Sequence, residues 1–300
     1  MLENFNFYKT AGYNKLKERA RKGIPDGMRG IAWKTIAGIR EFKYGQGKLY
    51  KNLLSKINNP NFIDSKEEDV IIRDLHRTFP KNMIFNSKLG EGQRSLFRIL
   101  MCFGSFNKST GYVQGMGFLA ALFLSYMDEE DSFWMLYCLF KKYNLNDIYM
   151  KDFPGLRRRL FIFLKLVKKF MPKIYEKLIK NNIYPTMYAS QWFFTCYTNC
   201  FPFDIIVRIF DSYLLEGEKI IYRIALAIFK LKENEILKEK NFETIMEVLK
   251  NSVNDIKNAN ELLETAFDFS LSRNDIYHYH YLYQQYLKTN NDKLTLLLGY

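Results

Sequence analysis

Residues 71–80 read IIRDLHRTFP, and this stretch has the pattern of a helix that stops abruptly. Ile71 and Leu75 are four residues apart, a spacing that places two side chains on one face of a helix. Asp74 and Arg77 are three residues apart, so the carboxylate can hold the guanidinium. The proline that closes the stretch limits how far the helix continues. We therefore predict that Arg77 lies at the end of a core-anchored helix, where its side chain can project.

Helical patterns also dominate the rest of the chain. An acidic cluster, 128–131, begins a long apolar run, and carboxylates favour a helix N-terminus. A basic helix over about 156–180 should be interrupted at Pro172, and Gly217 separates two further apolar helices. Alternating strand patterns bounded by turn residues are scarce. The sequence predicts an all-α fold with more than ten helices.

The composition favours one compact globular unit with an acidic partner. Hydrophobic residues make up 48% and aromatic residues 17% of the 300 residues, enough to bury a large core and unlike a disordered chain. The net charge of +13 suits nucleic acid, an anionic membrane or a negatively charged protein. No linker rich in glycine, serine or proline divides the chain.

The cysteines, the N-terminus and the apolar runs bear on disulfide and metal sites, on secretion and on membrane insertion. Four cysteines without suitably spaced histidines predict reduced thiols in a cytoplasmic protein, with neither a disulfide framework nor a metal site. The N-terminus lacks the pattern of a signal peptide. The most apolar run, 117–127, is too short to span a bilayer.

The turn around Arg77 has two interpretations. The first is an exposed ion pair with Asp74, which contributes well under about 1 kcal/mol. The second is that Arg77 binds phosphate, because a planar guanidinium stays charged and donates two parallel hydrogen bonds, which lysine cannot do. Taken alone, the turn favours the ion pair.

A second polar group lies in STGYVQGMGFLAALFLSYM, residues 109–127. Gln114 is followed by Gly115 and a strongly apolar helix, for which Ser109 or Thr110 is the expected N-cap. Three glycines in seven residues are costly in a helix, so we expect another backbone or a ligand to come close. A carboxamide can orient a water molecule and contact a phosphate oxygen at once. A tight turn between packed helices explains the same residues and, taken alone, is favoured.

Together these stretches resemble the TBC-domain family of Rab GTPase-activating proteins. IIRDLHRTFP is similar to the family's I-x-x-D-x-x-R motif, and YVQGM is similar to its Y-x-Q motif. Three further blocks match, and all five run in family order between about residues 21 and 235. The first is RKGIPDGMRGIAW, with Gly23, Ile24, Pro25, Arg29, Gly30 and Trp33. The other two are YASQWFFTCYTNCFP, with Trp192 and Pro202, and VRIFDSYLLEG, with Asp211 and Gly217. Two positions depart from the family, since Gly117 stands where it usually has Asn and Phe210 where it commonly has Trp.

The resemblance implies two helical lobes that form a single TBC-type domain with a catalytic groove. It implies a catalytic activator of a Rab GTPase, with Arg77 as an arginine finger supplied in trans. Gln114 would be a second finger, which orients the attacking water in place of the Rab's own glutamine. Asp74 would hold Arg77, while Tyr112 and Gly115 would shape the site around Gln114. GTP and Mg²⁺ would arrive with the GTP-bound Rab, so no cofactor or metal belongs to the chain.

The resemblance also implies how the chain is organised. We expect an N-terminal extension over 1–20, the domain core over 21–235, and C-terminal helices over 236–300 that complete the second lobe. Residues 157–180 carry nine Lys or Arg and one acid. This segment is either a site of peripheral association with an anionic membrane or, as we favour, a solvated helix face. Residence on endomembranes would then come through the lipidated Rab.

Two other functions stay open. The first is a TBC scaffold that binds a GTPase or another trafficking partner without accelerating hydrolysis; the presence of both Arg77 and Gln114 argues against it. The second is a basic helical solenoid that binds nucleic acid, which would show strong salt dependence. It rests on net charge alone, and we expect no nucleic-acid partner. The expected role is GTPase activation in vesicle trafficking and intracellular protein transport.

Overall fold

In the computed structural model of the chain, residues 12–59 and 65–289 are described. All regular secondary structure in these residues is helical, which confirms the predicted all-α class. The chain divides into two compact units, Met1–Asp152 and Phe153–Tyr300, which agree in number with the two lobes that the resemblance implies. The first eleven residues and residues 290–300, parts of the expected terminal segments, lie outside the described residues.

Within its described residues, the first unit contains nine helices. They are α1 (Tyr13–Lys22), α2 (Asp26–Ala37), α3 (Ile39–Lys43), α4 (Leu49–Ile57), α5 (Ser65–Leu75), α6 (Glu91–Phe106), α7 (Met116–Leu124), α8 (Glu129–Lys141) and α9 (Asn146–Tyr149).

Helix α6 is the centre of the first unit, where it packs against α4, α5, α7 and α8. Every residue of α7 from Met116 to Phe123 is buried, as expected for a helix that is apolar all round. The carboxylate of Asp128 caps α8 by accepting the backbone N–H of Asp131 at 2.8 Å, which confirms the predicted acidic start. Helix α7 also contacts α5, and this contact brings the two motifs together.

The second unit contains nine α-helices and one 3₁₀ helix in its described residues. They are α10 (Pro154–Phe170), α11 (Pro172–Lys180), the 3₁₀ helix (Pro185–Met187), α12 (Ser190–Phe194), α13 (Phe203–Glu216), α14 (Lys219–Leu231), α15 (Glu233–Lys238), α16 (Phe242–Asp255), α17 (Ala259–Asp268) and α18 (Arg273–Thr289).

Two predicted breaks in the second unit are confirmed. Helix α10 ends at Phe170 and α11 begins at Pro172, because proline at the first position of a helix has no donor to leave unpaired. Gly217 separates α13 from α14 with φ of 74°, in the left-handed region that favours glycine. Helix α14 packs against α13 and α17, and α10 packs against α18.

None of the helices in residues 12–59 and 65–289 is both long enough and apolar enough to cross a bilayer. The apolar run that begins at Gly117 forms most of α7, a nine-residue helix in the core of the first unit.

Candidate functional site

The turn that follows α5 presents Arg77. The helix ends at Leu75, and the N–H groups of Arg77 and Thr78 bond to carbonyl oxygens three residues earlier, at 3.3 and 3.2 Å. Phe79 has φ of 44°, in the left-handed region, so the chain turns sharply away from the helix axis. The side chain of Arg77 stays 45% exposed, whereas the apolar anchors of the turn are buried. The prediction of a projecting arginine at the end of a core-anchored helix is confirmed.

The carboxylate of Asp74 joins the two sequence motifs. It is 1% exposed and accepts three hydrogen bonds. Oδ1 accepts from Nε of Arg77, while Oδ2 accepts from the hydroxyl of Tyr112 and, at 2.8 Å, from the backbone N–H of Gly115. A buried charge is tolerated only when it is paired and hydrogen-bonded, and these three donors meet that condition.

Tyr112 is the buried donor on the Gln114 side of this network. Burial, together with the charge of Asp74 and the hydrogen bond to it, raises the pKa of the Tyr112 hydroxyl far above its usual value. The phenol is therefore protonated at neutral pH, and it donates to the carboxylate of Asp74. Asp74 thus contacts residues of both motifs at once.

Gln114 lies beside Arg77. Its side chain is exposed, and with the carboxamide oxygen turned toward the guanidinium it accepts from Nη1 at 2.7 Å and from Nη2 at 2.5 Å. This orientation follows from the hydrogen bonding, because the opposite one would place an NH₂ group against the guanidinium N–H groups. The structure therefore brings the two predicted finger residues into direct contact.

The start of α7 differs from the prediction. Ser109 and Thr110 are not its N-cap, because the helix begins only at Met116 and is preceded by Gly115. Gly115 has φ of 103°, which favours glycine, and its N–H is bonded to Asp74. A long-range bond to a buried carboxylate therefore sets the helix start, in place of a local side-chain cap.

Glu67 is a residue of this site that the sequence analysis missed. It lies on α5, and its Oε1 accepts the backbone N–H of Tyr112. The only sequence signal is its position seven residues before Asp74, which places both carboxylates on the same face of α5. The partner lies 45 residues away along the chain, so the sequence alone could not identify this bond.

The loop between Arg77 and α6 is held firmly although it has no regular structure. Buried Gln93 on α6 donates to the carbonyl of Phe85 at 2.9 Å and accepts from the N–H of Leu89 at 3.0 Å. Phe85 is buried, whereas Met83 is 88% and Leu89 65% exposed. The loop that follows Arg77 therefore displays exposed apolar side chains on a backbone held by Gln93.

A family model described as the Rab-GTPase-TBC domain matches residues 26–237, which is more than half of the chain. The chain belongs to the TBC-domain family. It is 32% identical over 233 residues to TBC1 domain family member whacked of Drosophila melanogaster, covering 76% of this chain and 61% of that protein. It is 29% identical over 262 residues to TBC1 domain family member 4 of Mus musculus, covering 84% of this chain and 20% of that protein.

A solved structure supports the same assignment. The TBC domain of the Chlamydomonas flagellar RabGAP superposes with a TM-score of 0.73 at 26% identity, and the match covers 86% of each chain. The present chain spans less than two thirds of the two curated relatives named above.

The first matching block of this TBC domain is architectural. Arg29 is 5% exposed; its guanidinium donates to the carbonyl of Ile24 at 2.6 Å and to the hydroxyl of Tyr126 at 3.2 Å. A Cβ on Gly30 would lie 2.2 Å from the carbonyl oxygen of Tyr126, so only glycine fits there. Trp33 is completely buried. These residues fix α2 within the first unit.

The later blocks of the TBC domain build the core of the second unit. Trp192 is 4% exposed, and its ring contacts those of Tyr188 and Phe229. Asp211 is buried, and so is Phe210, which stands where the family commonly has Trp. We therefore assign these positions to stability.

Gly117, the other departure from the TBC family, lies in the first turn of α7 and is buried. A Cβ at this position would lie 3.3 Å from Oγ1 of Thr78, 3.4 Å from the hydroxyl of Tyr112 and 3.5 Å from Oδ2 of Asp74. A Cβ here would therefore be in tight contact with Thr78 and in ordinary van der Waals contact with Tyr112 and Asp74.

Two further observations concern metal ligands and thiols in the described parts of the TBC domain. Within residues 12–59 and 65–289, no cluster of three or more His, Cys, Asp or Glu side chains could hold a metal ion. All four cysteines are free, and burial raises the pKa of each thiol to about 12. The thiols are therefore protonated and weakly reactive.

Proposed function

We propose that this chain is a GTPase-activating domain that accelerates GTP hydrolysis by a GTP-bound Rab-family GTPase. The observation that carries the proposal is the contact between the exposed guanidinium of Arg77 and the exposed carboxamide of Gln114. One buried carboxylate, Asp74, bonds to Arg77 and to the backbone N–H of Gly115, the residue after Gln114. Catalysis of phosphoryl transfer depends on positioning and on stabilising charge, which these two groups can supply. Membership of the TBC-domain family supports the class of substrate.

In this proposal Arg77 is the arginine finger. Its Nε is bonded to Asp74, so the fork of Nη1 and Nη2 is aimed toward Gln114. In the complex, phosphate oxygens would replace the carboxamide oxygen as acceptors, with the bidentate geometry that guanidinium groups favour. An arginine finger contributes about 10³–10⁵ in rate, on the order of 4–7 kcal/mol of transition-state stabilisation.

Gln114 would then orient the attacking water in place of the Rab's own glutamine. Its carboxamide can accept a hydrogen bond from water and donate one to a phosphate oxygen. GTP and Mg²⁺ belong to the substrate GTPase and arrive with it, so the chain itself contributes only protein groups.

Asp74, Tyr112 and Gly115 would act as positioning residues. Asp74 fixes Arg77 through Nε and fixes the Gln114 loop through Tyr112 and Gly115. A displacement of about 1 Å can lower a rate by about 10², so this shared anchor is expected to matter for catalysis as well as for folding.

We assign the exposed apolar side chains of the loop after Arg77 to docking of the GTPase. Arg77 must reach a nucleotide held by its partner, and the loop continues directly from the turn that presents Arg77, so in this proposal it would contact the same partner. Met83 and Leu89 suit an interface, where exposed apolar groups are covered, and the clamp by Gln93 lowers the entropic cost of ordering them.

We also propose that the chain is cytoplasmic and that any residence on endomembranes comes through the Rab. Two of the basic side chains of residues 157–180 bond to other groups within the second unit. Arg159 pairs with Glu218 at 3.0 Å, and Lys177 donates to a backbone carbonyl at 2.5 Å. This use of charge supports a solvated helix face over a dedicated membrane site.

The test is single-turnover GTP hydrolysis by a panel of purified, GTP-loaded Rab proteins, with the wild-type chain, Arg77→Ala and Gln114→Ala in parallel. Binding is measured separately with Rabs loaded with a non-hydrolysable GTP analogue. Arg73→Ala is the matched control, because Arg73 is an exposed arginine on α5 whose Nε bonds only to a backbone carbonyl of its own helix among the bonds described.

We expect the wild type and Arg73→Ala to accelerate at least one Rab equally. Arg77→Ala should bind that Rab but lose about 10³-fold or more of the acceleration. Acceleration by Arg77→Ala within a few-fold of wild type would refute the finger assignment. Binding of Rabs without any acceleration by the wild type would identify a scaffold instead.

A further inference from the structure

The loop that carries Gln114 is anchored at two points by carboxylates of one helix. Glu67 and Asp74 are seven residues apart on α5, and therefore lie on one face, two turns from each other. Glu67 accepts the backbone N–H of Tyr112, and Asp74 accepts that of Gly115. The two bonds bracket Gln114 along the chain.

Two glycines make the space in which the carboxylate of Glu67 lies. A Cβ on Gly104, in α6, would be 2.4 Å from Oε1 of Glu67 and 2.9 Å from its Cδ. A Cβ on Gly111 would be 3.1 Å from the same oxygen, and Gly111 has φ of 62°, which favours glycine. Two separate elements, α6 and the loop that carries Gln114, are therefore shaped around this one carboxylate.

We infer that Glu67 is a further positioning residue, which sets Gln114 against Arg77 by holding the backbone of Tyr112. The inference rests on the proposed function, because it assigns Glu67 a role in presenting the second finger. Without Glu67, Asp74 would still hold the backbone at Gly115, but Tyr112 would be held only through its side-chain hydroxyl. With both bonds, the backbone on each side of Gln114 is held before the GTPase binds. Hydrogen bonds from N–H to a carboxylate are about twice as strong as neutral ones, which suits such an anchor.

The first test compares Glu67→Ala and Glu67→Gln in single-turnover hydrolysis at saturating concentrations of the activating chain. Glu67→Ala removes the acceptor, so we expect the saturated rate constant to fall by about 10–100-fold, with the Kd for the GTPase changed less than about twofold. Glu67→Gln keeps an acceptor oxygen and should restore the rate to within about threefold of wild type. Glu68→Ala, the next carboxylate on the same helix, is the matched control and should behave as wild type.

A variant of Gly104 tests the same hydrogen bond, between Glu67 and the N–H of Tyr112, by displacing the carboxylate. Gly104→Ala places a methyl group where the carboxylate lies, so it should displace Glu67 and slow the saturated rate as Glu67→Ala does. The double variant, Glu67→Ala with Gly104→Ala, should be no slower than the slower single variant, because both substitutions remove the same hydrogen bond. Gly47→Ala is the control, since a Cβ there meets no atom within 4 Å.

Hydrogen exchange at the backbone N–H of Tyr112 tests the anchor without any GTPase. We expect exchange at this amide to become at least about tenfold faster in Glu67→Ala and to stay close to wild type in Glu68→Ala. If the wild type accelerates no Rab, the proposed function fails, and the exchange result alone decides whether Glu67 anchors the loop. Unchanged exchange at Tyr112, or a saturated rate of Glu67→Ala within twofold of wild type, would overturn the inference.

Discussion

Replacing Asp74 by asparagine should affect stability and catalysis together, because one carboxylate serves both motifs. Asparagine keeps the shape of the side chain but offers one acceptor oxygen to the three donors around it. Whichever way the amide turns, its NH₂ group faces at least one N–H or O–H donor. The hydrogen bonds from the Tyr112 hydroxyl and from the Gly115 N–H also lose the charge of their acceptor.

The size of the loss follows from the exposure of each partner. A hydrogen bond to a charged group contributes about 1.5–3 kcal/mol and a neutral one about 1 kcal/mol, so the two buried donors together lose about 2 kcal/mol. The Arg77 side chain is 45% exposed, so water replaces much of that bond and its loss adds at most about 1 kcal/mol. We expect the free energy of unfolding of Asp74→Asn to fall by about 2–3 kcal/mol in total.

Urea unfolding followed by tryptophan fluorescence measures this loss, because Trp33 and Trp134 are fully buried in the same unit. In single-turnover hydrolysis the variant should retain binding but lose about 10–100-fold of the saturated rate, since Arg77 keeps its charge and loses its tether. Asp69→Asn, an exposed carboxylate on the same helix, is the control. An Asp74→Asn variant with the unfolding midpoint and the rate of wild type would refute the account of Asp74 as a shared anchor.

Three further predictions follow from other contacts. Met83→Glu should raise the Kd for the GTPase by about tenfold and leave the saturated rate within twofold of wild type, because it changes docking and not the fingers; an unchanged Kd would contradict this. Gly117→Ala should lower the saturated rate by about three- to tenfold, since its methyl group would displace the Thr78 hydroxyl, which bonds to the carbonyl of Asp74, while Gly27→Ala, with open space around its Cβ, should not. Burial acts to raise the pKa of Glu129, but hydrogen bonds, first that from Arg98, outweigh it and lower the pKa from 4.5. Because the folded pKa lies below the unfolded one, this contribution to stability is present above about pH 4.5 and is lost as the pH falls through the folded pKa. Urea midpoints measured from about pH 6 to pH 3 should therefore fall more steeply for wild type than for Arg98→Ala.

The helices themselves could largely be predicted from local signals in the sequence. Pro172 and Gly217 mark helix boundaries because their backbone preferences act within one or two residues. The acidic start of α8 was predictable for the same reason, since Asp128 caps a helix that begins at the next residue. The projection of Arg77 followed from apolar spacing and a nearby proline.

The network around Arg77 and Gln114 could not be predicted in this way. The partners of Asp74 on the Gln114 side lie 38 and 41 residues away, and no periodicity encodes such a pair. The expected capping by Ser109 or Thr110 was wrong for a related reason, because a distant carboxylate fixes the N–H of Gly115 and so decides where α7 begins. Glu67 was missed because a backbone amide is its partner, and backbone groups leave no mark in a sequence motif.

The sharing of Asp74 also has a consequence for how such a chain can evolve. The I-x-x-D-x-x-R and Y-x-Q motifs are separate in sequence, yet one carboxylate bonds to Arg77 from the first and to Tyr112 from the second. A lineage that exchanges Asp74 must therefore compensate on both sides at the same time, which independent single changes rarely achieve. We therefore expect the two motifs to change together, so that a descendant that no longer depends on Arg77 should soon tolerate change at Gln114 as well.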